Sequence, residues 1–154
     1  MIVSMIREAV GAVVIYEDEI LLVRKINTMS TGTKPIPIEG EWDFPKGGIK
    51  EEDQSMADAV LRELWEETGV TSFEIIKEFN QKIIFSFPEA TYSKTGFSSQ
   101  ETTMFLIKYI GNSKEFVPQD EEIDCVRFFK KEKIMETLSH AATKRFFEEI
   151  IYQI

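Results

Sequence analysis

The chain has little of what many catalytic sites are made from. Among its 154 residues there is one cysteine, Cys125, and one histidine, His140. A single cysteine excludes an internal disulfide and a Cys-x-x-Cys metal site. A single histidine excludes His-Glu-x-x-His zinc sites and any site with several His ligands. A Ser-His-Asp arrangement would have to use His140, and no Gly-x-Ser-x-Gly segment precedes it. Long apolar runs are missing as well. Stretches such as Ala12 to Tyr16 fall far short of the ~20 residues that span a bilayer, and Met1 to Arg7 is too short for a signal-peptide core. Positive charge is the minority, with 18 Lys plus Arg against 27 Asp plus Glu and a net charge of −9. That balance argues against a broad grip on nucleic acid, DNA included. It leaves room for one RNA end, or for a polyanion presented together with a divalent metal. A soluble cytoplasmic protein, free of membrane, is the expectation.

Core material, by contrast, is ample. Hydrophobic residues make up 43% of the chain, with 12 Phe, 4 Tyr and 2 Trp. A chain of this length suits one domain over 1–154, which can bury roughly 70% of its unfolded surface. Val10 to Tyr16 and Glu19 to Arg24 read as β-branched strands joined by the turn Glu17-Asp18. The segment 26–41 is rich in Gly, Pro and Thr, aperiodic, and reads as a surface loop. Gln54 to Thr68 is the clearest helix, with Met56, Ala57, Val60, Leu61 and Leu64 at helical spacing and Gly69 as its stop. Phe73 to Phe79, Lys82 to Phe87, Thr102 to Ile110 and Ile123 to Phe129 read as strands. Ala90 to Gln100 and Asn112 to Glu122 read as loops, and Lys133 to Ile154 as helix. Mixed α/β around one core is the predicted class.

Carboxylates are what the chain has to work with, and they cluster. On the helix ending at Thr68, Glu63 faces Glu66 and Glu67 one turn on, so three carboxylates share one face near the C-terminus. Like charges at this spacing repel, and the negative end of the helix dipole adds to the penalty. Arg62 can pair with Glu66 but cannot neutralise all three. Mg²⁺ or Mn²⁺ held by hard oxygen ligands is the natural counter-charge. The Gly-rich stretch Phe44-Pro45-Lys46-Gly47-Gly48 before the helix can bring backbone groups near a metal–phosphate group. A solvated acidic helix face is the plain alternative.

Gly48, Arg62, Glu63, Leu64, Glu66, Glu67, Gly69 and Val70 fall on fixed positions of Gly-x5-Glu-x7-Arg-Glu-U-x-Glu-Glu-x-Gly-U, where U is aliphatic. With that pattern the sequence resembles the Nudix hydrolases. One position departs, since Gln54 stands where the pattern has Glu. Aligning from Phe44-Pro45 instead places Gly47 at the first glycine and implies one inserted residue between Ile49 and Asp53. The pattern's Glu serves in the family chiefly as partner of the box arginine, so the departure leaves the three carboxylates intact. Trp42-Asp43-Phe44-Pro45-Lys46-Gly47 and later segments are similar to bacterial RNA pyrophosphohydrolases and to asymmetric diadenosine tetraphosphate hydrolases.

The resemblance implies an α/β/α sandwich around a mixed sheet and Mg²⁺- or Mn²⁺-dependent attack of water on a phosphoanhydride. Glu66 and Glu67 would be metal ligands and Glu63 ligand or general base. Glu122 would be the fourth carboxylate, with Glu101 and Glu121 as competitors, and a carbonyl near Lys46 or Gly47 an added ligand. Lys46, Arg24 and Lys25 would meet the phosphates and Phe85 a nucleobase, while Gly48, Arg62 and Gly69 shape the motif. The substrate would be a 5′-triphosphate RNA end or a diadenosine polyphosphate. A house-cleaning nucleoside triphosphate pyrophosphatase, or a module that binds nucleotide without hydrolysis, are the alternatives, as monomer or homodimer. Cys125 is expected as a buried thiol, Trp65 as a packing residue, Glu51 to Asp53 as a solvated acidic loop, and His140 without a catalytic task.

Overall fold

A computed structural model of the chain describes residues 5–26, 28–30, 35–37 and 40–154. Its main sheet grows around β1 (Ile6–Tyr16) and β2 (Glu19–Lys25). These strands pair only at the hairpin end, Ile15 opposite Ile20 and Tyr16 opposite Glu19. Beyond it they diverge, and two short strands fill the split. β5 (Glu41–Asp43) pairs with the far end of β2, and β6 (Lys46–Gly48) pairs with β1 at Ala9 to Gly11. The link Phe44-Pro45 lies inside the split, with Phe44 fully buried and the Pro45 carbonyl accepting from Ala12 N at 2.9 Å. The stretch read as a Gly-rich turn is therefore in part a strand, and it lays Asp43, Lys46 and Gly47 across an opening in the sheet.

β8 (Ser99–Tyr109) runs parallel to β1 along ten residue pairs, from Ile6–Ser99 to Ile15–Lys108, and β7 (Phe73–Ser86) closes that edge antiparallel to β8. β9 (Ile123–Lys130) pairs with β2 on the other side. The two strands expected between Phe73 and Phe87 are one, whose register slips between Ile75 and Lys77 and between Glu78 and Lys82. Those irregularities break the period-2 pattern on which strand length is judged. The expected loop over Ala90 to Gln100 holds a short helix, α2 (Glu89–Thr95), and the first residues of β8. Of the segment 26–41, residues 27, 31–34 and 38–39 lie outside the described residues. β3 (Thr28–Ser30) and β4 (Pro35–Pro37) pair within it as a small antiparallel ribbon.

β1 is buried on both faces, and its side chains alternate between two cores. Val10, Ala12 and Val14 pack with Ala59, Val60 and Leu64 of α1 (Met56–Thr68). Val13 packs on the opposite face with Phe146, Phe147 and Ile150 of α4 (Ala141–Ile150). The result is the α/β/α sandwich expected from the resemblance, since a sheet with two apolar faces must be covered on both. The final helical stretch is interrupted. After α3 (Ile134–Thr137) the chain turns extended at Leu138, and α4 begins only after His140. Ser139 explains the break: its amide donates to the Trp42 carbonyl, and its hydroxyl accepts from Trp42 N, both at 3.2 Å. Among the described residues, no helix is long and apolar enough to cross a membrane.

Candidate active site

α1 is a well-terminated helix. The Ser55 hydroxyl accepts from Asp58 N at its start, and Gly69 ends it in the left-handed region at φ 76°. A side chain at Gly69 would also collide with the Val117 carbonyl, 2.2 Å from its Cβ position. That close approach belongs to the loop 112–122, which satisfies the helix's last carbonyls. Val117 N donates to Thr68 O, while Gln119 N and Asp120 N both donate to Glu66 O, at 2.7–2.9 Å. The docking brings Asp120 and Glu122 beside the carboxylates of α1. The Asp120 carboxylate accepts from Glu122 N at 2.9 Å and fixes the turn.

A cavity of about 620 Å³ opens here. Its acidic end is lined by Asp43, Glu63, Glu66, Glu67, Asp120 and Glu122, with Lys25 and Lys46 facing them. Gly47 lies against Glu63: a Cβ there would stand 2.0 Å from the Glu63 carboxyl carbon and would displace that carboxylate from its present place. Glu67 is 2% exposed, and its Oε2 is the one buried side-chain polar atom, among the described residues, without a hydrogen-bond partner. Burial pushes its carboxyl well above the ordinary carboxylate range; Lys25 opposes that, while Glu63, Asp43 and Asp120 add to it. Burial raises Glu63 as well, against the pull of Arg62. Burial lowers the Lys46 ammonium, although Asp43 Oδ2 and Thr143 Oγ1 each stand 3.1 Å from it.

Arg62 organises the base of the site. Its Nε and Nη2 donate to the two oxygens of Asp53 at 2.9 and 2.8 Å, its Nη2 to the Gly48 carbonyl at 3.0 Å, and its Nη1 to Glu63 at 2.9 Å and Glu66 at 3.3 Å. Asp53 thus does the work expected of the missing motif glutamate, while Gln54 beside it is exposed. The Asp53 side chain is only 5% exposed, which corrects its assignment to a solvated loop, and the Arg62 guanidinium holds its carboxyl down to about 2. Asp53 reaches Arg62 from the position before the one the pattern assigns to its glutamate.

A hard cation fits the acidic end. An oxygen buried without a donor, in a carboxylate destabilised by desolvation and like charge, is what a divalent ion would relieve. The ligand set is not preassembled, however. As the side chains stand, no three acidic, histidine or cysteine groups converge closely enough to hold an ion among the described residues. Arg62 draws Glu63 and Glu66 toward itself instead.

Of the expected site residues, Glu63, Glu66, Glu67, Glu122, Gly47, Lys46, Lys25 and Phe85 all border the cavity. Arg24 does not. It is bidentate to Asp124 at 2.8 and 3.0 Å and lies over the Trp42 ring. Neighbouring residues of a strand face opposite sides, which separates it from Lys25. Among the competitors of Glu122, Glu101 is paired with Lys82 at 2.8 Å and borders a separate groove. Asp43, Asp120, Arg7, Gln100 and Thr143 were not anticipated; they come from five separate segments, and no local pattern marks them. His140 sits on the rim, 2.8 Å from Glu41. Trp65 is 45% exposed and Cys125 half-buried, so neither is the enclosed side chain expected.

Fold and site together define a three-layer sandwich whose carboxylate-bearing helix opens onto a two-lysine cavity. Known proteins share the fold. The NUDIX domain family model matches residues 5–150, and the chain belongs to that family. It is 33% identical over 118 residues to an RNA pyrophosphohydrolase of a Sulfurovum species, covering 67% of this chain and 74% of that protein. An RNA pyrophosphohydrolase of a Nitratiruptor species is 30% identical over 124 residues, covering 71% and 79%. In fold the chain is similar to the MutT protein from Methanosarcina mazei Go1, with a TM-score of 0.68 at 23% identity over 97% of this chain and 96% of that one. The protein is a Nudix hydrolase, of the pyrophosphohydrolase type.

Proposed function

We propose that the chain is a Mg²⁺- or Mn²⁺-dependent pyrophosphohydrolase acting on the 5′-triphosphate end of RNA. The observation that carries this is the unpartnered Glu67 Oε2 in a cavity that also holds Lys25 and Lys46. Such a site is suited to a cation and a polyphosphate together. The bound ion would offset charge on the phosphates and ease the deprotonation of water. Glu66 and Glu67 would hold it, with Glu63, Glu122 and the Gly47 carbonyl as further ligands, and Glu63 or Glu122 as general base. Lys46, fixed between Asp43 and Thr143, has a third N–H to give to a phosphate oxygen, and Lys25 adds a second positive charge. Arg62 keeps the carboxylates in place from below and stays out of the reaction. Arg24, turned to Asp124, has no part in it.

The relatives at 30–33% identity that are named RNA pyrophosphohydrolases support the RNA end as substrate. The net charge of −9 favours a second substrate, a diadenosine polyphosphate, which needs no contact with an extended phosphate chain. Incubation with each substrate and Mg²⁺, with products separated by chromatography, tests the choice. Phosphate or pyrophosphate released from the RNA end is the expected result. ATP plus AMP from diadenosine tetraphosphate, with RNA untouched, would move the function to the dinucleotide. Activity on free nucleoside triphosphates alone would assign the house-cleaning role.

A further inference from the structure

The half of the cavity away from the carboxylates is built on another plan. Three adjacent strands place Arg7 opposite Gln100, and Gln100 opposite Phe85. All three side chains border the cavity, where Ala141 and Ala142 at the start of α4 also face it. Phe85 and the two small residues offer an apolar slot of the kind a nucleobase fills. Gln100, 8% exposed, supplies the polar group in it.

The direction of that amide is chemically determined. Gln100 Oε1 stands 2.5 Å from Arg7 Nη1. A guanidinium has donors only, so the amide oxygen must face Arg7 and the nitrogen must face away. The nitrogen makes one long bond, 3.4 Å to Thr102 Oγ1, and carries a second hydrogen. The slot therefore offers N–H donors from Gln100 and Arg7.

We propose that Gln100 is the specificity-determining residue for the nucleobase, and that it selects a base with a keto oxygen at purine position 6 or pyrimidine position 4 (guanine, hypoxanthine, uracil) over one with an amine there (adenine, cytosine). An amine set against this amide would leave two buried donors facing each other, and a site that loses its hydrogen bond discriminates more sharply than one that loses only contact area. The assignment rests on the proposed hydrolase function, which puts the phosphates at the carboxylate end and so the base at this one.

Inosine and adenosine differ at position 6 by oxygen against NH₂, which makes them the cleanest pair of probes. Binding of their β,γ-imidotriphosphates in Mg²⁺ would be measured by calorimetry, beside turnover of RNAs with matching 5′-triphosphate nucleotides. The inosine compound is expected to bind about tenfold more tightly. Gln100→Leu should bring the ratio to about one, and Gln100→Glu, an acceptor in place of a donor, should reverse it. Equal binding by the wild type, or a ratio that survives Gln100→Leu, would overturn the proposal. A ratio that holds without any turnover would refute the hydrolase function and leave the base selection standing. If neither nucleotide binds, both fall.

Discussion

Two helices flank the sheet, and they meet the same cavity with opposite ends. α1 brings its C-terminal turns, where backbone dipoles and three glutamates add negative potential, and has no basic residue in its last turn to temper it. α4 brings its N-terminus, with Ala141 to Thr143 on the cavity wall and no side-chain cap over its first amides. One end of the cavity is consequently a place for cations, the other for hydrogen-bond acceptors. The helices differ in what they bury, too. α4 buries Phe146, Phe147, Ile150 and a hydroxyl that is satisfied by Lys46, whereas α1 buries Glu63 and Glu67. Stability is sacrificed on the first helix and accumulated on the second, a distribution common where function requires unfavourable charge.

The largest effect that can break this comparison is at Glu67. Glu67→Gln should lower turnover by about three orders of magnitude or more, as loss of a cation-binding charge does. Its stability should move the other way. Burial raises the Glu67 carboxyl, so the folded chain holds its proton where the unfolded chain has released it. Stability in EDTA then falls as pH rises from the ordinary carboxylate range through the raised value. Melting temperature against pH should show that decline in the wild type and lose it in Glu67→Gln. An equal decline in both would place the cost elsewhere.

A smaller effect belongs to α4. Thr143 is 1% exposed, and its Oγ1 stands 3.1 Å from Lys46 Nζ. Thr143→Val removes that acceptor and keeps the shape, so kcat/KM should fall by about tenfold, the value of one buried hydrogen bond to a charge. Thr143→Ser should restore most of it. If valine and serine behave alike, α4 serves only as a cover.

The smallest effect lies under α1. Asp53 is held down to about 2 by Arg62, below its ordinary 3.8. A depressed carboxyl contributes stability that is present above the ordinary value and is lost as pH falls through the lowered one. The gap in melting temperature between wild type and Asp53→Asn should be full at neutral pH and close toward pH ~2. A gap that persists there would mean Asp53 acts by packing and not by charge.

Most of the α1 side was legible from sequence because it is local. Glu63, Glu66, Glu67, Arg62 and Gly69 stand close together along the chain, and helix geometry alone puts the carboxylates on one face. Asp53 was hidden because whether it or Gln54 meets Arg62 depends on how a short loop is folded, which residue spacing does not determine. The α4 side was hidden for a different reason. Arg7, Gln100 and Thr143 are joined by strand register and helix docking, and the hydrogen bond from Arg7 to Gln100 crosses 93 positions. The break before α4 follows from Ser139 binding Trp42, a tertiary contact that helical periodicity cannot foresee. The split between β1 and β2 that admits β5 and β6 likewise has no sequence signature beyond Pro45 and its glycines.

Whether α1's buried carboxylates form a cation site is measured most directly by the melting temperature with Mg²⁺ and with EDTA, for wild type and for Glu67→Gln. Ligand at about a hundred times its dissociation constant stabilises the folded state by about 2.7 kcal/mol. Mg²⁺ should therefore raise the wild-type midpoint by several degrees and leave the variant's unchanged. The same rise in both proteins, or none in the wild type, would contradict the account.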